Sequence, residues 1–251
     1  MPGAWRALRT AERQLLTRMT SEAAYRDGTY LAGNPTWHEE DSAWKAKQIQ
    51  RLLQANAVDP ATVCEIGCGA GEVLAQLASF YDPDVIFSGY EISPQAFEIC
   101  RHKEAGNVHF YHHDALTLRD ASFDVVMAID VVEHVEDHLE FLRQIRTRGT
   151  YKVFHIPLDL SVQTVLRVSP LLRYRTTVGH LHYFVKETAL AALADTGYEL
   201  VDYLYTAGAL ERPAGSRKAR ALKLPRRMLF SLNQDLTVRV LGGFSLLVLA
   251  K

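Results

Sequence analysis

Between positions 65 and 71 the chain reads Glu65-Ile66-Gly67-Cys68-Gly69-Ala70-Gly71, with Glu72 directly behind. An apolar run, Val63 to Ile66, thus meets three glycines at alternate positions and leaves as a helical pattern. Glycine adopts backbone dihedrals that other residues avoid and lets a ligand approach the main chain. The unpaired N–H groups and positive dipole end of a helix behind such a loop suit an anionic group. The same spacing also serves a turn that packs a helix tightly on its strand, so context decides. That context is acidic. Glu91 closes the next apolar run in Gly89-Tyr90-Glu91-Ile92-Ser93, where a carboxylate can accept from both hydroxyls of a ribose. Asp114 follows the third run in His113-Asp114-Ala115, and Asp130-Val131-Val132-Glu133-His134 follows the fourth. His134, His155, His180 and His182 all fall near the ends of later elements, and an imidazole there can take a proton from a hydroxyl.

These groups need a scaffold that brings strand ends together. The strand candidates are Val63–Ile66, Val85–Tyr90, Val108–Tyr111, Phe123–Ile129, Tyr151–Ile156, Glu199–Tyr205 and Phe244–Ala250. Helical patterns at Glu72–Phe80, Pro94–Glu104, Glu136–Ile145 and Lys186–Ala194 separate them. Strands alternating with helices predict a doubly wound α/β architecture, a mostly parallel seven-stranded sheet with helices on both faces. The last two strands lack a crossover of the earlier kind, so the final one is expected antiparallel at one sheet edge. Ahead of the sheet, Asn34-Pro35 breaks the chain and Thr36-x-x-Glu39 reads as a capping box. Trp44, Gln48, Ile49, Leu52 and Leu53 then mark one face of the helix it opens.

The glycine spacing separates two cofactor classes. A nicotinamide site has G-x-G-x-x-G, whereas position 72 is Glu and the pattern is E-x-G-x-G-x-G. This arrangement, with Glu91, His113-Asp114-Ala115 and the Phe123–Val135 segment, resembles the class I S-adenosylmethionine-dependent methyltransferases, in their small-molecule, quinone-biosynthesis-like branch. Gly179-His180-Leu181-His182-Tyr183-Phe184 resembles a His-x-x-x-Phe feature of the same enzymes. The likeness implies the Rossmann-like methyltransferase fold with S-adenosylmethionine as cofactor. It places Glu65, Gly67, Cys68 and Gly69 around the methionine part, Glu91 on the ribose diol and Ile92 against the adenine. Asp114 would accept from the adenine amino group, with Ala115 giving a backbone contact, and Asp130 and Val131 would lie beside the sulfonium. Lys45 could reach the cofactor carboxylate but reads more simply as a solvated charge. His134 and His180 are the candidate catalytic bases. Asp130-x-x-Glu133-His134 is close to a magnesium-binding pattern, but Asp shortens the reach of its first carboxylate, and no metal is expected there. The implied reaction is methylation of a small-molecule acceptor, at oxygen first and nitrogen second. A macromolecular or lipid-linked acceptor, or cofactor binding without catalysis, stays open.

Composition agrees. The 251 residues, 48% hydrophobic and 23% charged, exclude a wholly disordered chain and leave room for one large domain. A net charge of −1 offers no basic field to recruit nucleic acid, and none is expected as a partner. Three cysteines without C-x-x-C spacing suit a reducing compartment, the cytoplasm, and no apolar run approaches a membrane span. Residues 1–55 read as an N-terminal helical cap, whose Trp5, Leu8, Leu15, Leu16 and Met19 share a helical face. Residues 56–251 read as the cofactor-binding domain, with lid insertions at about 160–178 and 208–243. Tyr30 and Trp37 are expected to join those insertions in the acceptor walls. Pro225 suits a helix's first turn. The basic stretch 212–227 fits a solvated face, an acidic substrate or peripheral contact with an anionic membrane.

Overall fold

The computed structural model describes residues 23–37, 39–118, 122–212 and 217–251, so the helix expected from Trp5 to Met19 lies outside the described residues. Seven strands form one sheet: β1 (Thr62–Ile66), β2 (Ile86–Glu91), β3 (Val108–His112), β4 (Phe123–Ile129), β5 (Gly149–Pro157), β6 (Leu200–Thr206) and β7 (Ser245–Ala250). Their order is β3-β2-β1-β4-β5-β7-β6, and all pairs from β3 to β5 are parallel. The helices, in chain order, are α1 (Ala23–Arg26), α2 (Thr29–Gly33), α3 (Ser42–Ala55), α4 (Glu72–Ala78), α5 (Pro94–Cys100) and α6 (His138–Arg146). They continue as α7 (Val162–Arg167), α8 (Ser169–Arg173), α9 (Lys186–Asp195), α10 (Gly208–Glu211), α11 (Arg217–Leu232) and α12 (Gln234–Leu241).

Alternation along each strand splits the core in two. Val125 and Met127 of β4 face a layer built from Ile49, Leu52 and Leu53 of α3 with Leu74 and Leu77 of α4. Val126 and Ala128 face the opposite layer, with Phe141, Leu142 and Ile145 of α6 and Leu193 of α9. Helix α3 therefore shares the core of the sheet. Because β1, β2 and β4 run the same way, Gly67, Glu91 and Asp130 emerge at one edge. The strand order reverses between β1 and β4, where ligands of open α/β sheets bind.

Three local expectations are corrected. Strand β7 is antiparallel as expected, but it lies between β5 and β6, and β6 takes the edge. Leu246 to Ala250 are all 0% exposed, and a strand apolar on both faces needs neighbours on both sides. β6 exposes Leu200, Val201 and Tyr203 and suits the rim. The capping box at Thr36 does not open the helix. Thr36 Oγ1 donates to Glu40 Oε2 at 3.0 Å, a 3₁₀ turn Glu39–Asp41 intervenes, and α3 starts at Ser42 with Asp41 tied to Lys45 at 3.0 Å. Pro225 sits inside α11 rather than at its start. The Ala221 carbonyl that loses a helical donor belongs to an exposed residue, so water can replace the bond.

Candidate active site

The loop after β1 is held in a shape that only glycine fits. Gly67, Gly69 and Gly71 have φ of +69°, +55° and +78°. A Cβ at Gly71 would lie 2.6 Å from the Phe110 ring, and one at Gly67 2.9 Å from Val131 Cγ2. The loop wraps the end of β2: the N–H groups of Gly67 and Cys68 donate to Tyr90 O at 2.9 and 3.1 Å. Glu91 completes the tie, accepting Gly69 N–H at 2.8 Å and Ser93 N–H at 2.7 Å. Burial raises the Glu91 carboxyl pKa against the pull of those N–H groups. Glu65, 2% exposed, leaves Oε2 without a hydrogen-bond partner, and burial pushes its carboxyl up to about 8.

Loop and carboxylates wall a cavity of about 890 Å³, within the range that holds a cofactor-sized ligand. Glu65, Gly67, Cys68 and Gly69 line it from β1, and Glu91 and Ile92 from β2. Asp114 lines it beyond β3, with Oδ1 accepting Leu116 N–H at 2.9 Å. Ala115, next to it, turns its side chain into the core, and Leu116 lines the cavity.

Asp130 and Val131 line the same cavity from the end of β4. Asp130 has φ +54°, a strained value for a residue with a side chain, and it persists because three contacts to two residues fix it. Its N–H donates to His155 O at 2.9 Å, Oδ1 meets His155 Nδ1 at 2.5 Å, and Oδ2 meets Lys45 Nζ at 2.7 Å. Burial opposes its charge, but His155 and Lys45 overrule it and hold the carboxyl below the usual carboxylate range. Lys45 is therefore no solvated charge. Its side chain is 11% exposed and clamped between Asp41 and Asp130, which raise its pKa against burial. The pairing spans 85 positions of chain, and sequence carried no local signal for it.

Glu133, His134 and His180 line the same cavity. His180 Nδ1 lies 2.6 Å from Asp159 Oδ2, and both residues are buried. A carboxylate only accepts, so the ring carries a proton on Nδ1 and leaves Nε2 outside that hydrogen bond. His134 Nδ1 lies 3.1 Å from the Gly179 carbonyl and 2.9 Å from Tyr25 Oη, which places its proton on Nδ1 too. Glu133 is 0% exposed, neither carboxylate oxygen has a hydrogen-bond partner, and burial followed by nearby Asp130 drives its pKa well up. Glu133, His134 and His180 bring one ligand atom each within 4.8 Å of one another, the one such cluster among the described residues. Asp130 is engaged by His155 and Lys45.

The remaining histidines hold structure. His155 joins Asp130 to Thr206 Oγ1 at 2.8 Å, and His182 Nε2 bonds the Val135 and Glu136 carbonyls. Tyr25, Tyr30 and Trp37 line the cavity as packed rings, with centroids 4.6 Å apart for the two tyrosines and 4.7 Å for Tyr30–Trp37. Tyr174 and Val178 reach it from the first long insertion, and Arg212 from the second. Asp159 and Tyr25 were missed by sequence reasoning; Asp159 stands two residues past the proline that ends β5, the one available hint.

Comparison with known proteins agrees with this geometry. A family model described as a methyltransferase domain matches residues 36–203. The O-methyltransferase cnsE of Penicillium expansum is 41% identical over 90 residues, covering 33% of this chain and 32% of that protein. Norajmaline N-methyltransferase of Rauvolfia serpentina is 30% identical over 131 residues, covering 47% of this chain and 44% of that one. The chain thus spans a third to under half the length of these relatives. Magnesium protoporphyrin IX methyltransferase from Synechocystis PCC 6803, solved with bound S-adenosylhomocysteine, shares the fold at a TM-score of 0.53 and 16% identity, covering 83% of this chain and 81% of that one. With the sheet order, the glycine loop and the matched domain in agreement, the chain belongs to the class I S-adenosylmethionine-dependent methyltransferase family.

Proposed function

We propose that this protein transfers a methyl group from S-adenosylmethionine to a small-molecule acceptor, at oxygen in preference to nitrogen. The observation that carries the reading is one cavity shared by the glycine loop and a buried Asp159–His180 pair. The first half of the cavity suits the cofactor. Glu65 Oε2 awaits a partner, and the glycine backbone with Gly67, Cys68 and Gly69 leaves room for the methionine part. Glu91 would hold the ribose, Ile92 the adenine face and Asp114 the adenine amino group, with a backbone contact from Ala115. Asp130 and Val131 would border the sulfonium. When bound, S-adenosylmethionine supplies an electrophilic methyl group on a good leaving group.

The chain's own residues then have to align the acceptor, exclude water and take a proton. His180 Nε2 receives the acceptor's proton, and Asp159 stabilises the imidazolium that results. His134, fixed by Gly179 and Tyr25, orients the acceptor beside it. Tyr25, Tyr30 and Trp37 exclude water from the reacting centre. Labelled S-adenosylmethionine incubated with panels of small phenols, alcohols and amines tests this: label is expected in the methyl ether of a hydroxyl acceptor.

One observation favours nitrogen as a second reading. A buried carboxyl whose oxygens make no hydrogen bond, beside stacked aromatic rings, suits an amine that takes up its proton and lies against the ring faces. Label entering only the amine panel would select it.

Two further outcomes follow. Glu65 is mostly protonated at pH 7, so an ammonium group docking beside it releases a proton. The binding heat for S-adenosylmethionine therefore varies with the buffer's ionisation enthalpy at pH 7, and Glu65→Gln abolishes the variation. The sign on stability follows: the folded state holds this proton longer, so stability falls as pH rises from about 4.5 to about 8. Glu133, His134 and His180 could together grip a divalent cation, but here they are assigned to proton handling and orientation. Dialysis against a chelator leaves turnover unchanged. Loss that a divalent cation restores would reassign the three as ligands.

Cys64, Cys68 and Cys100 are buried and unpaired, which suits the reducing cytoplasm.

A further inference from the structure

Helix α11 is packed inside out. A surface helix ordinarily buries its apolar stripe. Here the residues turned inward, at i, i+3 and i+7, are Lys223, Arg226 and Phe230. Lys223 Nζ donates to Arg212 O at 2.9 Å, Arg226 to Leu241 O at 3.2 Å, and Phe230 stacks on Phe244 at 5.1 Å. The outward stripe, at i, i+4 and i+8, is Leu224, Met228 and Leu232, exposed by 67%, 60% and 81%. Leu236 of α12 carries it on at 59%, and Leu166 of α7, the helix that α12 packs against, adds a side chain 80% exposed. Arg220 and Arg227 are exposed on the same helix and make no ion pair among the described residues; Arg167 closes α7. No described helix is long and apolar enough to cross a membrane. Sixteen residues, about 24 Å, can instead lie along a bilayer surface.

We infer that the exposed face of α7, α11 and α12 docks on an anionic lipid surface, with Leu166, Leu224, Met228 and Leu232 entering the headgroup boundary and Arg220 and Arg227 meeting the lipid charge. The basic rim selects this occupant. A second copy of the chain would bring Arg220 and Arg227 against their own kind, whereas anionic headgroups complement them. The inference stands apart from the methyl-transfer reading, because it concerns a face outside the cavity.

The test is co-sedimentation of the full chain with vesicles of phosphatidylcholine alone or mixed with phosphatidylglycerol. The chain pellets with the mixed vesicles, weakly with the neutral ones, and less as salt rises. Combining Leu224→Glu, Met228→Glu and Leu232→Glu lowers the partition coefficient on the order of a hundredfold. Arg220→Glu with Arg227→Glu removes the preference for anionic lipid. The replaced side chains are exposed, so far-ultraviolet circular dichroism and the binding heat for S-adenosylmethionine stay unchanged in both variants. Failure of the wild-type chain to pellet with mixed vesicles would overturn the inference. So would a dimer in velocity sedimentation that the triple variant dissociates, with no vesicle binding, since the face would then belong to a second copy.

Discussion

Glu91→Ala raises the dissociation constant for S-adenosylmethionine on the order of a hundredfold. A buried carboxylate that accepts from both ribose hydroxyls makes two charge-assisted hydrogen bonds, each worth roughly 1.5–3 kcal/mol, and their loss gives at least that factor. The substitution has a second effect to separate. Glu91 also ties Gly69 N–H at 2.8 Å and Ser93 N–H at 2.7 Å, so alanine leaves two buried donors unpaired and loosens the glycine loop. Glu91→Gln keeps the shape and one acceptor oxygen. It loses less stability than alanine but most of the affinity, since its amide nitrogen cannot accept from a hydroxyl. Calorimetric titration beside thermal unfolding of both variants resolves the two parts. Affinity within threefold of wild type in the alanine variant would remove Glu91 from the ribose.

His180→Gln lowers kcat about a thousandfold with the affinity for S-adenosylmethionine unchanged, since general-base catalysis contributes 10²–10⁴ and the ring hydrogen-bonds Asp159 rather than the glycine loop. Asp159→Asn leaves the ring in place but frees its tautomer, and the loss lies between wild type and His180→Gln. Here Asp159 acts through His180 and is a positioning residue. A kcat for His180→Gln within a few-fold of wild type would pass the proton to another group and favour the amine reading at Glu133.

The parts of the site that sequence disclosed are those written within one stretch of chain. The glycine loop, Glu91 and Asp114 each follow an apolar run whose period marks a strand, so their meeting at one sheet edge follows from parallel order. The parts it hid are relations between distant stretches. Lys45 looks like any helix-surface lysine until α3 packs on the sheet and sets it against Asp130, and Asp159 acquires meaning only beside His180. The same limit applies to β7. Its unbroken apolar run does signal burial on both faces, but which strand would flank it depends on where the chain returns after the second insertion. Helix α11 shows the converse. Its pattern was legible as amphipathic, yet only packing reveals that the basic side turns in and the apolar side out.

Methyl transfer requires that the cavity take the adenosyl cofactor. The most direct measurement is calorimetric titration of the purified chain with S-adenosylmethionine, S-adenosylhomocysteine and NADH in parallel. The two adenosyl sulfur compounds bind one-to-one, and NADH gives no heat. Binding of NADH alone, with neither adenosyl compound bound, would contradict this.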